Sequence, residues 1–293
     1  MAGAPHDLPS LLLPTSETAF FQAFVEKTRL HVKSNHAARA EPLLQRWVLD
    51  RLLRSEVLPA ARLTVMRNGD VVPAAQFRTE SGRVRSEALD ALIADGVSFV
   101  IAGVDDDLPE IAALTGALEQ RLGHAVWANV YVTHGPGGAL PPHYDDHDVL
   151  VLQVHGKKQW YSHGTPTPSP IERSPDGVEF GPPIWETLMS EGDVLFMPRG
   201  EVHHTSTVGD VSIHLTFGID TRRGVDFAAS LLSGLEDDVV FREDVTRLSG
   251  EDALRARERL LKERLHARVD AMDLRAFLLG DEARRARSTR PGP

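Results

Sequence analysis

Downstream of Ala125 the chain breaks into short apolar runs rich in β-branched and aromatic residues, at 126–133, 148–154, 158–162, 193–197 and 211–219. Gly, Pro and Asp separate them. This pattern predicts a sandwich or barrel of short antiparallel strands. Residues 164–183 are rich in Pro, Gly and Ser and read as a long surface excursion.

The flanks read differently. Residues 1–15 read as an unstructured lead-in. Residues 17–27 have apolar positions at helical spacing, with Thr15 or Ser16 as the cap. Helices are predicted at 41–58 and 86–95, a strand at 97–102, and a hairpin over 62–78 around Asn68-Gly69. Asp107-Leu108-Pro109-Glu110 predicts a capped helix start and Gly123 its end. Residues 225–285 return to helix. There Leu261, Leu265, Val269 and Met272 share a face, while Glu251/Arg255 and Glu258/Lys262 are i,i+4 pairs. The tail 283–293 is expected to fray.

The 293 residues allow one large domain with a small appendage. There is no Cys, which excludes disulfide scaffolds, thiolate zinc or iron–sulfur sites and a thiol nucleophile. Any metal site must therefore use His, Asp or Glu. The net charge of -10 is carried by residues 1–224 (-9), with -1 on the rest. An acidic body argues against direct binding of nucleic acid and is compatible with a basic protein partner. The apolar run Leu11-Leu12-Leu13 is too short for a membrane span and lacks the flanks of a signal peptide, so a cytoplasmic location is expected.

Eight of the 13 His (134, 143, 147, 155, 163, 203, 204 and 214) fall in the strand-rich region. In His143-Tyr144-Asp145, residues i and i+2 of a strand would offer an imidazole and a carboxylate to one ion. The stretch from Gly192 to His203 supplies a third ligand. Two His and one carboxylate leave open positions suited to non-haem Fe(II) and oxygen. His204 is the alternative to His203, because alternation turns one of the two inward. His147 could pair with His143 on a helix, which Pro141 and Pro142 argue against. Asp146 and Asp148 read as turn or strand-start residues.

Residues 126–160 (VWANVYVTHGPGGALPPHYDDHDVLVLQVHGKKQW) and the block GDVLFMPRGEVHHTS…VSIHLTFGI resemble the metal-binding core of the JmjC-type cupin oxygenases, most closely the ribosomal oxygenase branch. The resemblance covers about residues 95–220 and comprises several ordered motifs. It implies a mainly β fold with flanking helices: a double-stranded β-helix (cupin, jelly roll) with N-terminal α/β decoration and a C-terminal helical segment. The domains implied are 1–95 as N-terminal helical, α+β decoration, 96–224 as the cupin core, 225–285 as a helical segment and candidate dimerisation element, and 286–293 as a disordered tail.

It further implies Fe(II) held by His143, Asp145 and His203, with His203 preferred over His204. The cosubstrate implied is 2-oxoglutarate, its distal carboxylate paired to Lys158, with Lys157 solvated. Asn129 and Tyr131 bind 2-oxoglutarate or line its pocket, Thr216 beside His214 is a weaker candidate, and Trp160 packs in the core. No general base is required.

The activity implied is hydroxylation of an unactivated C–H, with succinate and CO2 as co-products. The expected target is a protein or peptide, such as a ribosomal protein. Members of that branch carry a winged helix after the dimerisation helices, and about 70 residues after 224 suffice for the helices alone. A small-molecule or biosynthetic-peptide hydroxylase is the alternative reading. A non-oxygenase cupin is the second alternative, disfavoured by H-x-D without a following Glu.

Overall fold

The computed structural model describes residues 4–34, 40–53, 59–67, 69–135, 140–175, 177–246, 248 and 250–285. The chain divides into two compact units between Asp220 and Thr221.

The first unit is organised by two long antiparallel strands, β6 (Asp148–Gly164) and β9 (Val202–Asp220). They pair from Asp148↔Ile219 to Gly164↔Val202. Register shifts around Gln153, His155 and Lys157 bend the pair into two halves. The first half of β6 also pairs with β8 (Val194–Met197), and the second half with β7 (Trp185–Met189). Gly156 sits at the bend with φ +67, where a Cβ would lie 2.1 Å from the Val211 carbonyl oxygen. Only glycine lets the strands approach so closely there.

The remaining strands are β1 (Leu30–Val32), β2 (Leu63–Arg67), β3 (Asp70–Val71), β4 (Ser98–Ile101) and β5 (Ala125–His134). The hydrogen-bonded order is β1-β8-β6-β9-β5-β4-β2-β3, with β7 on the far half of β6. This is the double-stranded β-helix of a cupin.

The apolar pattern explains which face goes where. In β6, Leu150, Leu152 and Val154 join the large core, with Leu8, Leu11, Leu12, Phe20, Leu114 and Leu118 of the flanking helices. Val149 and Val151, on the opposite face, join Trp160, Met189, Leu195 and Met197. That second cluster draws on both halves of β6, so the halves face one another across an interior. Burial on both faces accounts for the unbroken apolar run in the first half of β6.

Several expectations are corrected. Residues 8–12 are not a lead-in but a helix, α1 (Leu8–Leu12), whose Asp7 side chain accepts from Ser10 N. Its Leu8, Leu11 and Leu12 are fully buried, each such burial contributing about 1.5–3 kcal/mol. The stretch was too short to show helical periodicity. In α2 (Glu17–Glu26), Ser16 is the cap. Helix α3 (Arg46–Leu53) covers part of the predicted 41–58 helix, of which 54–58 lie outside the described residues. Helix α4 (Ser86–Ala94) and the β2–β3 hairpin form, with Asn68 outside the described residues.

Helix α5 (Pro109–Leu122) is not capped by Asp107: its cap is Leu108, without a side-chain bond. The Asp107 carboxylate is instead engaged by Arg62 at 2.5 Å. Gly123 ends α5 with φ +69. The runs 148–154 and 158–162 are one strand, because bulges absorb the polar residues between them.

The second unit is helical: α6 (Gly224–Ser230), α7 (Val239–Arg242), α8 (Glu251–Asp270) and α9 (Leu274–Arg285). On α8, Leu261 and Leu265 are half-buried while Val269 is 49% exposed. Both i,i+4 pairs form, Arg255–Glu251 at 4.0 Å and Lys262–Glu258. Residues 286–293 lie outside the described residues, and 283–285 are helical. Among the described residues no helix is long and apolar enough to cross a membrane.

Candidate metal centre

His143 and Asp145 do not sit on a regular strand. His143 forms a single bridge with His203 at the start of β9, in which His143 N donates to His203 O at 3.1 Å and His203 N donates to His143 O at 2.8 Å. Gly200 N donates to the Asp145 carbonyl at 3.0 Å. The Pro198-Arg199-Gly200-Glu201 turn is therefore stitched to the H-x-D segment through backbone bonds alone.

The result is one cluster. His143, Asp145 and His203 each offer a ligand atom, and these atoms lie within 4.8 Å of one another. His203 Nε2 is 3.8 Å from Asp145 Oδ2. His143 Nδ1 donates to the Pro141 carbonyl at 2.9 Å and His203 Nδ1 to the Glu201 carbonyl at 3.0 Å. Each bond fixes the tautomer that leaves Nε2 free, the usual support of a metal-bound imidazole. Burial and the neighbouring His143 push the His203 pKa down to about 4, so its imidazole is neutral at ordinary pH. Two neutral nitrogens and one carboxylate fit a divalent first-row ion such as Fe(II) and leave coordination positions free.

The cluster opens into a cavity that Asn129, Tyr131, Lys158, Trp160, His214 and Thr216 also line. These come from β5, from the second half of β6 and from the later half of β9, which explains how residues so far apart in sequence meet. Lys158 is fully buried, and its Nζ reaches Thr133 Oγ1 at 3.1 Å and His214 Nδ1 at 3.4 Å. Among the described residues no carboxylate pairs with it. Burial alone lowers its pKa to about 7. A buried ammonium without a counter-ion favours an incoming anion. Lys157 points outward and is exposed.

Tyr131 stacks on His214 at 4.8 Å and 4°. Burial and the Asp145 charge raise the Tyr131 pKa, against a hydrogen bond from Asn129, so the phenol keeps its proton. Asn129 Oδ1 accepts from Gly103 N at 3.0 Å. Burial, the Lys158 charge and His203 drive the His214 pKa well below its ordinary value. Trp160 packs in the small apolar cluster and also forms cavity wall, stacked on His203 at 5.7 Å.

His204 lines the cavity but is not one of the clustered ligands. Its Nδ1 meets His163 Nε2 at 2.8 Å, and burial, with His163 and His143 nearby, lowers its pKa. His147 makes no helical pair with His143: its Nδ1 bonds Asp146 at 3.1 Å and its ring packs on Trp127.

Sequence reasoning missed the supports of the turn. Glu201 is 3% exposed and receives hydrogen bonds from Arg29 and from Ser162 Oγ. Asp148, fully buried, accepts from Arg199 N at 2.8 Å and pairs with Lys27 at 2.6 Å. Lys27 and Arg29 thus grip both ends of the turn. Only an acidic residue inside P-R-G-E could have hinted at this.

Residues 108–227 match the family model of the JmjC domain. The chain is 28% identical over 218 residues to the bifunctional lysine-specific demethylase and histidyl-hydroxylase NO66 of Drosophila mojavensis, covering 71% of this chain and 24% of that protein. It is 34% identical over 145 residues to ribosomal oxygenase 2 of Rattus norvegicus, covering 48% of this chain and 31% of that one. It thus spans about a quarter to a third of these curated relatives. Among solved structures, YcfD, a ribosomal oxygenase from Escherichia coli in complex with cobalt and 2-oxoglutarate, superposes with a TM-score of 0.55 at 14% identity, over 85% of this chain and 67% of that one. That likeness speaks to the fold. The β-roll, the His/Asp/His cluster at its interior and the family match agree on one segment: residues 108–227 match a JmjC domain.

Proposed function

We propose that the chain is an Fe(II)- and 2-oxoglutarate-dependent dioxygenase that hydroxylates an unactivated C–H bond of a protein side chain, such as one on a ribosomal protein, in the cytoplasm. The observation that carries this reading is the shared cavity. His143, Asp145 and His203 stand in it as candidate metal ligands, and Lys158 stands in the same wall as a buried cation without a carboxylate partner among the described residues. When bound, Fe(II) with 2-oxoglutarate supplies the oxidising power: one atom of O2 enters the C–H bond and the other the carboxylate of succinate, with release of CO2.

The residues of this chain hold and orient. His143 and His203 present Nε2 because backbone carbonyls hold their Nδ1 protons. Lys158 takes the distal carboxylate of 2-oxoglutarate, and Thr133 keeps its ammonium in place. The protonated phenol of Tyr131, the amide of Asn129 and the hydroxyl of Thr216 complete the pocket as donors. The apolar wall of Val149 and Trp160 limits water at the reacting centre. No residue is needed as a general base.

Mass spectrometry of ribosomal proteins from wild-type and deletion strains tests the target. A peptide that is 16 Da heavier in the wild type, lost on deletion and restored by the gene but not by its His143→Ala form, supports it. Identical ribosomal masses in both strains overturn the ribosomal target. We further propose that the half-buried stripe on α8 meets a second copy of the chain. Light scattering then gives a dimer, and a monomer at micromolar concentration removes that claim.

A further inference from the structure

Lys158 meets two acceptors in the cavity wall, and neither is a carboxylate. Its Nζ donates to Thr133 Oγ1 at 3.1 Å and to His214 Nδ1 at 3.4 Å. An ammonium offers donors only, so Nδ1 faces it with a lone pair and the imidazole proton sits on Nε2. All three side chains are buried. His214 is held in its orientation from two strands. Its ring lies flat on Tyr131 of β5, at 4.8 Å and 4°, and meets Trp160 of β6 edge-on at 5.7 Å and 68°. The register fixes its neighbours: His214 stands opposite Tyr131 on one side and opposite Gln153 on the other. Two of the three N–H groups of the ammonium are thus committed, and among the described residues one is left.

We propose that His214 is a positioning residue for the cosubstrate: as a neutral acceptor it orients the Lys158 ammonium, and it leaves the remaining N–H and the full charge for the distal carboxylate of 2-oxoglutarate. A carboxylate at 214 would hold the ammonium more strongly but would cancel the charge that draws the ligand. An apolar side chain would keep the charge but would strip a buried ammonium of one of its two acceptors, and with it the direction of the third N–H. Imidazole meets both demands. The inference rests on the oxygenase reading above and deepens it. It gives His214 a role that acts through Lys158 and not by contact with the ligand.

The test uses the full chain loaded with Mn(II) in place of Fe(II), so that calorimetry reads binding without turnover. The probes are 2-oxoglutarate and 2-oxopentanoate, which has the same keto-acid end and chain length but no distal carboxylate. Three variants divide the roles of the side chain. His214→Phe keeps a ring and loses the acceptor, His214→Asn keeps a neutral acceptor, and His214→Asp brings a charge. The expected affinity for 2-oxoglutarate falls about tenfold in His214→Phe and by at least as much in His214→Asp, and stays within about threefold in His214→Asn. Affinities for 2-oxopentanoate and for Mn(II) itself stay within about threefold of the wild type in all three, which packing damage beside Trp160 and His203 would not give. Should His214→Phe not fold, the Asn and Asp variants decide, since they differ in little but charge. The proposal is overturned if His214→Phe or His214→Asp binds 2-oxoglutarate as tightly as the wild type, or if His214→Asn binds it no better than they do. It is equally overturned if affinity for 2-oxopentanoate falls in step with that for 2-oxoglutarate, which would set His214 against the keto-acid end. No binding of 2-oxoglutarate by the wild type contradicts the underlying oxygenase reading instead.

Discussion

Gly200 N–H and the carbonyl of Asp145 are hydrogen-bonded at 3.0 Å, so the turn before one ligand holds the backbone of another. Gly200 has φ +85, and a Cβ there would lie 2.7 Å from Pro170 Cδ and 2.8 Å from the Thr167 carbonyl oxygen. Glycine is needed for both backbone angle and space. Gly200→Ala is expected to cost about 1–3 kcal/mol in urea denaturation and to weaken Mn(II) binding. A loss near zero would show that the turn relaxes without strain.

Arg29 and Glu201 test whether the N-terminal segment supports the ligand set. Arg29→Leu strands a carboxylate that is 3% exposed, while Arg29 itself is 27% exposed. The expected loss is about 2–4 kcal/mol, below that of a fully buried pair. Because the Glu201 carbonyl holds His203 Nδ1, Mn(II) affinity should fall with it. Adding Glu201→Gln removes the stranded charge and should recover part of the stability. A double-mutant cycle with no coupling would contradict the clamp.

Lys158 carries a stability penalty that its ligand relieves. Its pKa falls from 10.5 in the unfolded chain to about 7 in the folded one. The charged form is thus disfavoured by folding. The penalty is absent above the unfolded pKa, grows as pH falls from about 10.5, and is complete below about 7. Lys158→Met is therefore expected to raise Tm at pH 6.5 and to leave it nearly unchanged near pH 10.5, while abolishing 2-oxoglutarate binding in calorimetry. The wild type should take up protons on binding 2-oxoglutarate at pH 8, and its affinity should decline as pH rises above about 7. A Tm that falls at pH 6.5, or binding without proton uptake, would place the counter-ion of the ligand elsewhere.

The strands and the ligand triplet were legible in the sequence for different reasons. The first half of β6 and residues 212–219 of β9 announce themselves as apolar runs because they are buried on both faces, whereas β5 buries alternate positions. H-x-D was read as two residues of one strand, yet the structure joins them to His203 through a lone bridge and the Gly200 contact. The shared direction survived although the strand did not. β1 and β7 were invisible: three residues, Leu30–Val32, and the mixed WETLM segment carry no period of their own and are strands only because β8 and β6 accept them. α1 was missed because one helical turn has no periodicity to detect. The Lys27/Asp148 and Arg29/Glu201 pairs join residues more than a hundred positions apart, so no local pattern encodes them.

Succinate release from 2-oxoglutarate, with Fe(II) and O2 supplied, tests the central claim most directly, in the wild type and in His143→Ala. The account predicts turnover in the wild type and its loss by at least about a hundredfold when the ligand is removed. Neither turnover nor 2-oxoglutarate binding in the wild type, or equal turnover in His143→Ala, would contradict it.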